Sequence, residues 1–262
     1  MKILYFDCSG GISGDMLLKA AADLSGCSDE IYRKIDDMKS ENMHCSSHNS
    51  SSGHDDSCGS SPDNSHGHHA HGRSYDAVKK IIAESSFSEA AKAAAACIYE
   101  CIAKAEAKVH GADLETVHFH EVGRDEAVMN ALAVGMAVEL ISPDKILTSP
   151  IYDGKGTILC SHGEISVPVP AVMALRESCS YDFRTADVNT EMVTPSGLAG
   201  LMGIGTEPSE PEKNIFSGAR ILKETEAKGK RDTGLPGLRA YILEKQEGSD
   251  DGTAEAGEKS GA

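Results

Sequence analysis

Residues 2–22 read KILYFDCSGGISGDMLLKAAA and change character twice. Residues 2–7 are apolar and β-prone, the Gly-rich residues 8–15 interrupt that pattern, and residues 16–22 are helix formers. This order predicts a strand, a tight turn and a helix. The turn would place backbone N–H groups at a helix N-terminus, where an anion such as phosphate is favoured.

The candidate anion-binding residues in this turn are Gly10, Gly11, Ser13 and Gly14. The turn is not a Walker loop, because no Gly-Lys-Ser/Thr follows it, and its glycines do not have the spacing of a dinucleotide fingerprint. A plain tight turn with glycines in the left-handed region is the alternative.

Two later segments offer similar chemistry. Residues 194–197, TPSG, predict another helix start with proline at the first helical position, which makes Thr194 and Ser196 candidate phosphate ligands. Residues 228–231, KGKR, add Lys228, Lys230 and Arg231. A solvated hairpin is the alternative for the basic run.

The rest of the chain predicts a mixed α/β fold with an N-terminal strand-turn-helix unit, a helical middle and a strand-rich C-terminal part. Ser74 and Ser88 are candidate helix N-caps. The helices are expected near 75–85, 88–109 and 125–141, with another opened by Pro168 and Pro170. Strands are expected near 145–149, 157–160, 164–167, 215–225 and 238–244. Residues 1–39 and 75–245 would form a single globular domain.

Residues 40–74 contain 11 serines and 7 of the 11 histidines of the chain, but no Leu, Ile, Val or Phe. Such a segment cannot bury enough apolar surface to offset its chain entropy, so it is predicted to be a disordered insertion. The acidic, Gly-rich residues 246–262 are predicted to be a disordered tail.

The insertion concentrates imidazole groups, which are good ligands for nickel, copper and zinc. Its candidate metal ligands are His66, His68, His69 and His71. The alternative is a solvated linker whose histidines bind metal only incidentally.

Residues 118–121, HFHE, form a more ordered candidate. Alternation along an extended segment puts His118 and His120 on one face, about 7 Å apart, within reach of one ion. Glu121 would point to the other side, where it could accept a hydrogen bond from an imidazole or act as a general base. Two histidines with hydrogen-bond partners in the core are the alternative.

The overall composition excludes several classes of function. The 262 residues carry a formal charge of −16, which gives no footprint for nucleic acid or an anionic membrane. The longest nearly apolar run, residues 131–141, is far shorter than the about 20 residues of a membrane helix. A cytoplasmic protein is expected, with its eight cysteines reduced and used for packing or as soft metal ligands.

Several motifs occur together in one order and resemble the LarC family of nickel insertion proteins. They are Tyr5-Phe6-Asp7 with Gly11-Ile-Ser-Gly-Asp-Met16, the His-rich insertion, residues 118–123 (HFHEVG), Ser149-Pro150, Ser161-His-Gly163 with residues 167–171 (VPVPA), and residues 192–197 (MVTPSG). The resemblance implies insertion of Ni²⁺ into pyridinium-3,5-bisthiocarboxylic acid mononucleotide. The product would be the nickel-pincer nucleotide cofactor of lactate racemase and related apo-enzymes.

The resemblance also implies a nickel chelatase of the lyase type that uses CTP, with Mg²⁺ or Mn²⁺, through a C-terminal domain. That domain has no counterpart in the 262 residues, and we expect it in cis by frameshifting or in trans. A homo-oligomer is also expected. Two alternatives are a nickel storage and delivery protein without nucleotide chemistry and a zinc-dependent hydrolase.

Overall fold

The computed structural model describes residues 1–46, 73–119, 122–160, 163–209 and 214–246. These residues form a mixed α/β fold, as the sequence predicts. Within them the α-helices are α1 Gly14–Ser25, α2 Ser28–Ser46, α3 Tyr75–Glu84, α4 Glu89–His110, α5 Asp125–Ile141, α6 Pro170–Arg176 and α7 Pro195–Gly203. The strands are β1 Lys2–Asp7, β2 Arg73–Ser74, β3 His118–Phe119, β4 Lys145–Thr148, β5 Ile151–Asp153, β6 Thr157–Cys160, β7 Gly163–Ser166, β8 Phe183–Thr185, β9 Glu207–Pro208, β10 Ala219–Ala227 and β11 Leu238–Lys245.

The main sheet has five strands in the order β10-β11-β1-β4-β9. Strand β1 lies at its centre, antiparallel to β11 and parallel to β4. Strands β2 and β3, β5 and β8, and β6 and β7 form three further pairs. The loop that leaves the carboxyl end of β1 leads into α1, and this is the edge of an α/β sheet at which ligands are usually bound.

The two faces of β1 are buried in different surroundings. Leu4 and Phe6 join the large core that α1, α4, α5 and α7 form on one side of the sheet. Ile3 and Tyr5 join a smaller apolar cluster on the other side. This two-sided burial explains why residues 2–7 are an almost unbroken apolar run.

The helix starts occur where the sequence indicates them. Ser74 caps α3 by accepting a hydrogen bond from the backbone N–H of Ala77, and Ser88 caps α4 in the same way. Helix α2 is the one helix of the described residues that the sequence analysis does not anticipate. It buries Ile31, Ile35 and Met38, at helical spacing, and its backbone stays helical as far as Ser46.

Candidate functional site

Two helix N-termini lie side by side at the carboxyl end of β1. Ser13 caps α1 by accepting a hydrogen bond from the N–H of Met16, and Thr194 caps α7 by accepting one from the N–H of Gly197. The N–H of Ile12 donates to the carbonyl of Met192 at 2.9 Å, and the N–H of Thr194 donates to the carbonyl of Ile12 at 3.0 Å. These bonds fix the two caps in one register.

Gly10 allows a third segment to approach the same point. A Cβ atom at this position would lie 1.9 Å from the carbonyl oxygen of Pro236, in the loop between β10 and β11. No side chain larger than hydrogen fits there without moving backbone. Gly10 therefore acts at least as a packing residue, because its missing side chain brings that loop against the β1 to α1 turn.

A buried carboxylate holds the segment that precedes α7. The side chain of Asp153 accepts hydrogen bonds from the N–H groups of Met192 and Val193, both at 3.1 Å, and from that of Gly154 at 2.8 Å. Its other oxygen pairs with Arg176 at 2.8 Å. Asp153 thus positions the backbone that leads to Thr194.

These segments enclose a cleft of about 650 Å³. All but one of the phosphate-binding residues predicted from the sequence line it; they are Gly10, Ser13, Gly14, Thr194, Ser196, Lys228, Lys230 and Arg231. Gly11 does not line it; it has φ +83° and packs against Met192. Three stretches far apart in the sequence therefore meet at one surface.

Carboxylates balance the positive charge of this cleft. Lys230 pairs with Asp15 at 2.7 Å, and Arg231 pairs with Glu191 at 2.5 Å. The hydrogen bond to Asp15 raises the pKa of Lys230, so the lysine stays protonated. An incoming phosphate would have to share these cations with the carboxylates or displace them.

Among the predicted metal ligands, His118 lies within the described residues. Its side chain is exposed in β3, while the neighbouring Phe119 is buried against the rings of Tyr75 and Tyr99 at 6.0 and 5.8 Å. Nδ1 of His118 lies 2.7 Å from the carbonyl oxygen of Thr116. A proton on Nδ1 would satisfy this contact and leave the lone pair of Nε2 for a metal ion.

The other candidate ligands, His66, His68, His69, His71, His120 and the catalytic candidate Glu121, lie outside the described residues. Within the described ranges, no group of three or more His, Cys, Asp or Glu side chains is arranged to hold a metal ion. The five cysteines whose side chains the structure describes are free thiols: Cys8, Cys27, Cys97, Cys101 and Cys179.

Sequence reasoning missed three acidic residues of the cleft region: Asp15, Glu191 and Asp153. Asp15 occupies the first turn of α1, where the helix dipole favours an acidic residue, so its place at the helix N-terminus could have been predicted from the sequence. Asp153 gave no such signal, because its partners at Arg176 and Met192 are brought to it only by the tertiary fold.

A family model described as nickel insertion protein matches residues 4–255. The chain belongs to this family. Among its curated relatives, the pyridinium-3,5-bisthiocarboxylic acid mononucleotide nickel insertion protein of Acetivibrio thermocellus is 36% identical over 243 residues, which cover 89% of this chain and 58% of that protein. The proteins of the same name from Akkermansia muciniphila and Lactiplantibacillus plantarum are each 32% identical, over 94% of this chain and 61% and 62% of their own lengths.

This member of the nickel insertion family thus spans about 60% of the length of the curated relatives it matches. No solved structure matches the chain. Among its described helices, none combines the length and the apolar character needed to cross a bilayer.

Proposed function

We propose that this chain binds Ni²⁺ through histidine side chains and inserts it into pyridinium-3,5-bisthiocarboxylic acid mononucleotide. The reaction is that of a nickel chelatase, and it forms the nickel-pincer nucleotide cofactor. The observation that carries the proposal is the convergence of three predicted phosphate-binding segments, around Gly14, Ser196 and Lys230, on one cleft. The name of the curated relatives supplies the substrate.

The cleft suits the phosphate end of a mononucleotide. Two helix N-termini and three basic side chains surround it, and its volume of about 650 Å³ lies in the usual range for small-molecule sites. The roles of Gly10, Gly11, Ser13, Gly14, Thr194, Ser196, Lys228, Lys230 and Arg231 as phosphate ligands are part of this proposal.

The pairing of β2 with β3 supports a route for the metal. Ser74 lies opposite His118, and Arg73 lies opposite Phe119. The histidine tract that ends at His71 is therefore joined, two residues along the chain, to the strand that pairs with His118. Nickel gathered by His66, His68, His69 and His71 would pass to a second station at His118 and His120.

Histidine suits a transfer of this kind. Imidazole binds Ni²⁺ well, but a few mobile imidazoles release an ion more readily than a closed four-thiolate cage does. In this scheme Glu121 orients a neighbouring imidazole or removes a proton at the second station. The two thiocarboxylate sulfurs of the substrate then take over the metal.

The remaining parts of the scheme extend beyond the described residues. CTP, with Mg²⁺ or Mn²⁺, would act through a C-terminal part supplied in cis or in trans. The cofactor would then be delivered in the cytoplasm to an apo-enzyme such as lactate racemase. Residues 1–39 and 75–245 would act as one globular domain, in a homo-oligomer. At the two ends of the insertion predicted for 40–74, residues up to Ser46 lie in α2 and Arg73–Ser74 form β2. The remainder of that insertion, and residues 247–262 of the predicted tail, lie outside the described residues.

A nickel-transfer assay tests the proposal. The chain is combined with a CTP-binding C-terminal partner, Ni²⁺, CTP, Mg²⁺ and the mononucleotide, and formation of the nickel-pincer cofactor is followed by absorbance. We expect the His118→Ala/His120→Ala double variant to lose transfer while it keeps the histidine tract.

The matched control is His110→Ala, an exposed histidine at the end of α4. It should transfer nickel like the wild type. Unchanged transfer by the double variant would dismiss the second station. A wild-type chain that retains nickel but does not bind the mononucleotide would be a carrier and not an insertion protein.

A further inference from the structure

A second, smaller cavity of about 150 Å³ adjoins the cleft between α1, α4 and α5. Four residues line both spaces: Gly14, Asp15, Ser196 and Lys230. A ligand anchored by its phosphate in the cleft could therefore extend directly into the smaller cavity.

The walls of the smaller cavity suit the faces of a flat ring. Leu17, Ile98, Ile102 and Val134 supply aliphatic surface, and Tyr99 supplies an aromatic ring. The hydroxyl of Tyr99 donates a hydrogen bond of 2.7 Å to the carbonyl of Val122. This bond ties the aromatic wall of the cavity to the residue that follows the HFHE motif. Small-molecule sites typically combine such walls with a few polar groups.

Arg124 is a basic residue that lines this cavity but not the cleft. It lines the cavity as the N-cap of α5, and its side chain does not cap the helix. Whereas Lys230 and Arg231 pair with Asp15 and Glu191, the guanidinium of Arg124 has no ion-pair or hydrogen-bond partner among the described residues. A planar guanidinium in this setting is suited to bind a carboxylate-like group.

We propose that this cavity receives the heteroaromatic ring of the mononucleotide and that Arg124 recognises the acid substituents on that ring. The inference rests on the proposed function, because it assumes that the phosphate occupies the adjoining cleft. A pyridinium ring with two thiocarboxylates carries both signs of charge. Asp15 and Glu126, which also line the cavity, would favour the cationic ring, and Arg124 would favour the anionic substituents.

Three commercial probes separate the contributions of phosphate, ring and acid group. Ribose 5-phosphate has only the anchor, nicotinamide mononucleotide adds a pyridinium ring with a neutral amide, and nicotinic acid mononucleotide replaces that amide with a carboxylate. Their affinities are measured by calorimetry on the full chain. We expect the carboxylate probe to bind about tenfold more tightly than the amide probe, as one charge-assisted hydrogen-bonded pair allows.

The variant Arg124→Gln should bring the affinities of the two ring probes to within about twofold of each other while ribose 5-phosphate binds unchanged. The control Arg33→Gln replaces an exposed arginine on α2, and it should keep the tenfold preference. Unchanged binding of ribose 5-phosphate also shows that the variant is folded.

The outcomes distinguish this inference from the proposed function. If ribose 5-phosphate binds but the wild type has no preference for the carboxylate, or if Arg124→Gln keeps that preference, the assignment of the cavity is wrong and the phosphate cleft stands. If none of the three probes binds, the phosphate cleft and the ring cavity are both wrong.

Discussion

At the scale of single residues, Asp15 lowers the net positive charge of the cleft. Its carboxylate lies 2.7 Å from Nζ of Lys230 and accepts a hydrogen bond of 3.0 Å from the side-chain amide of Asn130. It also lies in the first turn of α1, where its negative charge offsets the positive end of the helix. Asp15 therefore competes with any phosphate that enters the cleft.

The variant Asp15→Asn should bind ribose 5-phosphate more tightly than the wild type, by about fivefold, because a competing negative charge is removed and Lys230 is released. Calorimetry measures the affinity. Asp29→Asn, in the first turn of α2, is the matched control and should not change it. Weaker binding by Asp15→Asn would mean that the phosphate does not use Lys230 or this helix end.

The buried thiol of Cys8 should make the stability of the fold depend on pH. Burial raises the pKa of this thiol from 9.0 to about 12, so the folded chain keeps its proton while the unfolded chain loses it above about pH 9. The contribution of this thiol to the unfolding free energy is fully present below its unfolded pKa of 9.0 and is lost as the pH rises toward 12. Between pH 9 and 10.5, Cys8 alone should lower the unfolding free energy by about 2 kcal/mol.

Urea unfolding under reducing conditions at pH 8, 9 and 10.5 measures this fall. The variant Cys8→Ala is less stable at every pH because a buried side chain is truncated, but its stability should fall less steeply above pH 9. Parallel curves for the two proteins would contradict the account of Cys8.

At the scale of elements, Asp153 joins β5, α6 and the segment before α7. Its side chain is buried, and the guanidinium of Arg176 stacks over the ring of Phe183 at 4.4 Å while it pairs with Asp153. The carboxylate thereby fixes Met192 and Val193, which carry the backbone to Thr194. The geometry of the cleft depends on this buried group.

The variant Asp153→Ala should lower the unfolding free energy by about 3 kcal/mol or more, because it leaves three backbone N–H groups and a half-buried Arg176 without their acceptor. Binding of ribose 5-phosphate should weaken as well. Urea unfolding and calorimetry measure the two effects. The control Asp182→Ala removes the exposed partner of Arg184 and should cost less than about 1 kcal/mol; an equal loss in both variants would contradict the role of Asp153.

At the scale of the whole molecule, the large core and the histidine tract are expected to be independent. The core joins residues from both sides of the tract: Leu4, Leu17 and Ile35 before it, and Val78, Tyr99 and Leu132 after it.

Replacing His66, His68, His69 and His71 with serine should therefore leave the melting temperature unchanged within about 2 °C. The number of Ni²⁺ ions bound per chain should fall, and a large drop in melting temperature would show that the tract is part of the fold.

Local sequence signals were enough to place most elements. Apolar β1, the serine caps of α3 and α4, and the Thr-Pro start of α7 all depend on neighbours within a few residues. They also indicated the candidate phosphate-binding residues that line the cleft, although not that these residues would meet there. Helix α2 was missed because its three buried residues stand among many charged ones.

The charge balance of the cleft could not be read from the sequence. Asp15 and Lys230, and Glu191 and Arg231, become partners only when α1, the segment before α7 and the β10 to β11 loop pack together. The order of strands in the main sheet was likewise out of reach, because β11 pairs with β1 from the opposite end of the described chain.

Equilibrium dialysis of the tag-free chain against Ni²⁺ at neutral pH tests the central claim most directly. The account predicts saturable nickel binding that falls when the four tract histidines become serine and falls further when His118→Ala is added. If the wild-type chain retains no more nickel than the variant that lacks all five histidines, histidine-mediated nickel insertion by this protein is contradicted.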